Sequence, residues 1–307
     1  EDVPKEKCDK HIMVDYCVNG VASTYCQNMA NMGKVTLTKK DSGGKWTLNG
    51  AEFQLRRKNA PQNWLESLTY FVTGNTYSLE WSNEEGNTVL AVGRPVETLD
   101  GKLVISGLPW GEYVLEEIKA PVGYKLPAKQ ADRIHEFVIN DEKVEEQIPV
   151  DFVNVTNAPA QYTFHKRCSK TNSTLLPGAV FQLKKDGEDR EIATYTADSN
   201  GEFTVSSVGA DGSVIIELSV GSSRNMYTLS EKTAPNGYEL SNTFAKFYVD
   251  ELGNFHIEEA GNMNEAKDSF LNTPIELKLV KLDGGDRIDT QQKPLANVRF
   301  QILDQNG

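Results

Sequence analysis

Most of what enzymes and nucleic-acid binders rely on is scarce in this sequence. Its 307 residues include four histidines (His11, His135, His165, His256), scattered singly, and four cysteines. No P-loop, dinucleotide glycine pattern, Ser/His/Asp arrangement or metal-ligand helix is present, so neither catalytic turnover nor a metal or cofactor is expected. Basic residues are also in deficit, 32 against 44 acidic for a formal net charge of -12. This argues against capture of nucleic-acid phosphates or anionic lipid, which needs clustered Lys and Arg. No apolar run approaches the roughly 20 residues of a membrane helix, and the opening EDVPKEKCDK has no hydrophobic signal core. Four cysteines are too few for a disulfide knot of this length. Cys8, Cys17 and Cys26 cluster near the start around His11, but C-x2-H-x5-C-x8-C fits no zinc pattern. A disulfide within that segment is the expectation, with one cysteine left free or paired elsewhere.

What the sequence does have is repetition. An alternating strand ending in lysine occurs three times: VTLTK to Lys39, YTFHK to Lys166 and LKLVK to Lys281. A second mark follows each lysine, LNGAEFQL around Phe53, LPGAVFQL around Phe181 and LANVRFQI around Phe300. A third, Y-x-L-x-E-x-x-A-P-x-G-Y, occurs at 113–124 and 227–238. The lysines are 127 and then 115 residues apart, far beyond solenoid periods, so each repeat should be an autonomous domain. The expected organisation is a cysteine-bearing leader or tail of an upstream domain (1–33), a first unit (34–158) with an insertion at about 59–100, a second unit (159–274) and the truncated start of a third (275–307). The final FQILDQNG stops in mid-pattern, which suggests a fragment of something longer. The joints NAPA (157–160) and NTPI (272–275) each hold one proline and no Gly/Ser tract, which predicts short, stiff connections and a rod.

Within the units, short β-branched or aromatic runs such as KLVI (102–105), EFTV (202–205) and FYV (247–249) lie between Gly, Asn and Asp turns, which fits an all-β sandwich. One stretch, NWLESLTYF (63–71), has a helical reading, weighed against a loop decoration packing on the sandwich.

Side chains alternate along a strand, so Val35, Leu37 and Lys39 share a face, as do Tyr162, Phe164 and Lys166. The pattern therefore directs a lysine inward in each unit. By the same parity Glu117 lies with Tyr113 and Leu115, and Glu231 with Tyr227 and Leu229. A buried Lys–Glu pair alone often fails to recover its desolvation cost, which makes it a weak reason to repeat the device. Burial instead lowers a lysine pKa and raises that of a glutamate, which places an activated amine beside a general acid. An asparagine amide would supply the missing electrophile.

These marks together resemble the Cna B-type repeats of Gram-positive collagen-binding adhesins and the related sortase-assembled, SpaA-like pilins. The resemblance covers about 34–274 with all three marks and the last thirty or so residues with two. It implies tandem prealbumin-like or inverse-immunoglobulin sandwiches, which in this family are commonly closed by a spontaneous Lys–Asn isopeptide bond that the box glutamate promotes. Such domains often carry an aspartate two residues after the lysine, as at Asp41 and Asp283, where the second unit has Cys168. Alignment of the repeats selects the asparagines. Asn272 lies 41 residues after Glu231 and nine before Lys281, and Asn157 lies 40 after Glu117 and nine before Lys166. Asn154, at 37 and 12, is the alternative in the first unit. The implied crosslinks are Lys39 to Asn157 and Lys166 to Asn272, with Glu117 and Glu231 catalytic in a single turnover and Lys281 the crosslink lysine of the third unit.

The function implied is a stalk or adhesin segment, extracellular and wall-anchored, joined to other pilin subunits or the wall by a sortase acting outside this sequence. LPAKQ (126–130) is not itself a sorting signal. Two other readings stand beside it. The first-unit insertion, with Trp64, Phe71, Tyr77 and Trp81, would recognise a host matrix protein or glycan, or the chain would be an accessory part of a surface enzyme.

Overall fold

The computed structural model describes residues 12–18, 21–27, 33–58, 68–72, 75–84, 88–108, 111–140, 149–282 and 294–303. Almost all of its regular structure is antiparallel or parallel β, arranged around two separate hydrophobic cores. Among the described residues no helix is long and apolar enough to cross a membrane.

A hairpin of β1 (Ile12–Val18) and β2 (Val21–Gln27) precedes the first core, with Cys17 opposite Ala22 and Cys26 opposite Met13. Cys8 and His11 lie outside the described residues.

The first core is enclosed by β3 (Gly33–Asp41), β4 (Glu52–Lys58), β5 (Leu68–Val72), β6 (Asn75–Glu84), β7 (Thr88–Gly93), β8 (Val96–Glu97), β9 (Lys102–Leu108), β10 (Gly111–Lys119), β11 (Ile134–Ile139) and β12 (Val150–Asn157). They form one ten-stranded sheet in the order β11-β10-β4-β7-β6-β5-β9-β3-β12, with β8 against β4. The inward faces obey the alternation read from sequence: Val35, Leu37, Phe53, Leu55, Leu103, Ile105, Tyr113 and Leu115 are all buried. Each such large side chain contributes roughly 1.5–3 kcal/mol on burial.

The second core lies between two sheets. One is β16 (Glu202–Ser206), β13 (Gln161–Cys168) and β20 (Ser269–Asn272), and the other is β15 (Glu191–Thr196), β14 (Val180–Lys185), β17 (Tyr227–Thr233), β18 (Phe244–Val249) and β19 (Phe255–Gly261). Strand for strand, β9-β3-β12 matches β16-β13-β20, and β8-β4-β10-β11 matches β15-β14-β17-β18. The difference is the insertion. Its strands β5 to β7 run from β4 to β9 and join two sheets that remain separate around the second core.

The helical reading of 63–71 gives way to a strand over its described part, since Leu68–Val72 pairs with β6 on one side and with β9 on the other. A β-branched, aromatic run finds its hydrogen bonds in strand pairing. Trp64 lies outside the described residues, as does the acidic cluster 142–146, while Glu258 and Glu259 are exposed.

The two units touch through the first box loop. Gly123 O accepts from Ser207 Oγ at 2.5 Å, Leu126 N donates to Glu251 O at 2.8 Å, and Gly123 lies against Val208 and Val214. Leu126 is consequently 5% exposed, whereas its counterpart Leu240 is 61% exposed. From 275 onward the described residues form no strand, and Leu277, Leu279 and Phe300 are exposed.

A candidate self-crosslinking site in each unit

Three strands converge on the same kind of buried cluster in each unit. Lys39 and Lys166 stand near the ends of β3 and β13, and both are 0% exposed. The strands beside them, β12 and β20, run parallel to β3 and β13, with Val155 opposite Lys39 and Phe270 opposite Lys166. Two residues on, the same register pairs Asn157 with Asp41 and Asn272 with Cys168. Residues of equal parity share a face, so lysine and asparagine both enter the core. The glutamates come from the opposite side. Glu117 is opposite Phe53 and Glu231 opposite Phe181, each at or beside a bulge in the β10/β4 or β14/β17 pairing. Bulges re-aim side chains, and here a carboxylate reaches the inward lysine.

In the second unit all three groups make contact. Lys166 Nζ bonds to Asn272 Oδ1 and lies 3.1 Å from Glu231 Oε1. Asn272 Nδ2 donates to Glu231 Oε1 at 3.0 Å and Oε2 at 2.9 Å, and to the Glu239 carbonyl at 3.0 Å. In the first unit Lys39 Nζ donates to Glu117 Oε2 at 2.7 Å, and Asn157 Nδ2 donates to the Lys125 carbonyl at 3.0 Å. Asn157 is 2% exposed, whereas the alternative, Asn154, sits on the exposed face of β12.

Burial sets the electrostatics. Desolvation pulls Lys166 down to about 8 against an opposing pull from Glu231. It also lowers Lys39 against the pull of Glu117. Glu117 moves the other way, raised by burial and partly restrained by Lys39 and Asn157. An amine with a depressed pKa, a carboxyl and an amide carbonyl packed out of water have the composition needed for amide exchange.

Several participants were not identified from sequence. The Phe53 and Phe181 rings each lie 5.6 Å from the lysine Nζ, covering it with an apolar face. The Lys125 and Glu239 carbonyls, each eight residues after the box glutamate, hold the asparagine amide. Their fixed place after the box tyrosine was a usable signal, since Tyr124 bridges Pro159 and Tyr238 bridges Pro274. Cys168 is a buried free thiol at the position of Asp41, and hydrogen bonds from the Lys170 and Thr171 amides and the Thr171 and Tyr238 hydroxyls lower its pKa against burial. Asp41 serves its own turn in the same way, accepting from the amides of Gly43 and Trp46. Lys281 differs from the other two lysines: it is exposed, and among the described residues no strand covers it.

A family model described as the SpaA prealbumin-like fold domain matches residues 33–151 and again 160–261. No curated protein matches the chain. Among solved structures, the Bacillus anthracis TIE protein is 18% identical over 80% of this chain and 34% of its own length, with a TM-score of 0.38. The chain thus spans about a third of that protein. A streptococcal ancillary pilin is 19% identical over 82% of this chain and 65% of its own, with a TM-score of 0.29. The C-terminal fragment of the pilus adhesin SpaC from Lactobacillus rhamnosus GG is 15% identical over 81% of this chain and 100% of its own, with a TM-score of 0.39.

Proposed function

The chain belongs to the SpaA prealbumin-like fold domain family, and from that premise we propose that it is a stalk segment of a Gram-positive surface adhesin or pilin whose complete units close themselves with Lys–Asn isopeptide bonds. The observation that carries this reading is the buried convergence of Lys166, Glu231 and Asn272, repeated by Lys39, Glu117 and Asn157.

The chemistry follows from those contacts. Loss of the Lys166 ammonium proton, which burial favours, leaves a neutral amine beside Glu231. Nζ attacks Asn272 Cγ, a C–N bond forms, and the carbonyl π pair moves onto Oδ1. Glu231 accepts the surplus proton of Nζ and returns one to Nδ2. Collapse of the intermediate breaks the Cγ–Nδ2 bond and expels ammonia. One C–N bond replaces another, with no cofactor and no second turnover.

The parallel pairing of first and last strand gives the bond its mechanical value. It ties β13 to β20 across 106 residues, next to the points where the chain enters and leaves the unit. By analogy with a disulfide, a loop of about 100 residues removes on the order of 4–5 kcal/mol of unfolded-state entropy. Tension along a rod would then pass through covalent bonds instead of strand hydrogen bonds. The insertion strands β5 to β7 are members of the first sheet, which favours a framework role for them over a free ligand-binding loop. Assembly with other subunits and attachment to the cell wall belong to the same proposal.

Intact-mass spectrometry of the folded chain tests it. The mass expected is that of the sequence less two molecules of ammonia, and an unshifted mass would overturn the crosslink.

A further inference from the structure

Resting on the crosslinking reading, a second question is which group stabilises the oxygen that becomes charged. Attack by Nζ drives negative charge onto the asparagine Oδ1, and donors aimed at that atom lower the barrier more than groups that merely hold the starting amide. The orientation of Asn272 is fixed by its neighbours. Its Nδ2 faces three acceptors, the two Glu231 oxygens and the Glu239 carbonyl, so Oδ1 must face the donors. Two reach it: Lys166 Nζ, and Ser241 Oγ at 3.3 Å. Once Nζ is bonded to Cγ it can no longer approach Oδ1 as a separate donor, which leaves the serine. Ser241 Oγ lies 2.5 Å from Thr243 Oγ1, whose other acceptor, the Leu271 carbonyl, is farther off at 3.4 Å. Thr243 is buried and can donate to Ser241, which directs the serine proton to Oδ1.

Among the described residues of the first unit this donor has no counterpart. Ten residues after the box glutamate, where the second unit has Ser241, the first has Pro127. Among the described residues its buried Asn157 Oδ1 has no hydrogen-bond partner. We infer that Ser241 is a catalytic residue, an oxyanion donor that makes the second unit close faster than the first.

The test starts from chain isolated unreacted in denaturant and refolded by dilution. Closure of each unit is timed by digestion and mass measurement of its own Lys–Asn peptide pair, and folding of each unit is followed separately by pulsed amide hydrogen exchange. The wild-type second unit should close before the first. Ser241→Ala should slow the second unit about tenfold or more, where a well-aligned oxyanion donor contributes roughly 10²–10³-fold, with the folding rate and the first unit unchanged. Ser241→Thr, which keeps the hydroxyl, should retain most of the rate, and Pro127→Ser should accelerate the first unit. Closure of the Ser241→Ala second unit at the wild-type rate would overturn this inference alone. The parent reading is tested separately by Glu231→Ala, where closure of the second unit at the wild-type rate, or no closure in the wild type, would overturn both.

Discussion

The two complete units hold the same three chemical groups in the same register on frameworks that match strand for strand but differ in how the sheets are joined and how the core is filled. Around the second core two sheets face each other without a joining strand, and the interior is aromatic: Phe181 stacks on Phe203 at 4.4 Å and lies 4.7 Å from Phe270. Around the first core the equivalent positions hold Leu103 and Val155, and the insertion binds the sheets into one. The lysine in both is covered by a phenylalanine from the strand that carries the F-Q-L mark. The comparison teaches that site geometry depends on two local devices, the parallel pairing of first and last strand and the bulge beside the glutamate. The number of sheets and the filling of the core vary around them.

The strongest way to break this comparison is to remove one glutamate at a time. Glu231→Ala should abolish ammonia loss in the second unit only, and Glu117→Ala in the first only. Each affected unit should lose the roughly 4–5 kcal/mol that closing a loop of this size supplies, visible in calorimetry as one transition falling while the other stays. Loss of both bonds from one substitution would show that the units do not react independently.

A smaller effect is expected from pH. Burial holds Lys166 at about 8, below its ordinary 10.5, so the neutral amine fraction, and with it the closure rate of the second unit, rises as pH increases through about 8 and then levels. Lys39 is depressed by the same cause, so the first unit should show a rise of the same sign. The stability of an uncrosslinked second unit, Asn272→Ala, follows by linkage. Between about 8 and 10.5 the unfolded lysine binds more protons than the folded one, so stability increases across that window, and below about 8 the full burial penalty applies. Urea titrations at three pH values check the sign.

The smallest effect, and the one that sharpens the comparison most, concerns the insertion. Replacing residues 59–94 by a short turn should leave the first unit as two sheets, like the second, with its closure and β circular dichroism intact. Failure to close would mean that the bridge between sheets holds Lys39 in place.

Much of this was legible in advance because strand parity is local. Val35, Leu37 and Lys39 had to share a face whatever the sheet turned out to be, and the repeat spacing pointed to Asn157 over Asn154, which the structure places on the buried and exposed faces of β12 respectively. The 63–71 segment was harder, since a short apolar run has no period that separates helix from strand. Its described part is decided by partners, β6 on one side and β9 on the other. Ser241 was invisible for a related reason: its role depends on where Asn272 Oδ1 points, 31 residues away in sequence.

By itself the sequence determined an acidic, repeated β chain with a lysine and a glutamate turned inward in each complete unit, because alternation and repetition are properties of neighbours along the chain. Only the tertiary structure decided that the first and last strands lie side by side in parallel, that a bulge turns each glutamate to its lysine, that the insertion joins two sheets, and that one asparagine carbonyl has a hydroxyl donor while the other has none among the described residues. Those are contacts between residues far apart in sequence, set by how the strands close around each core.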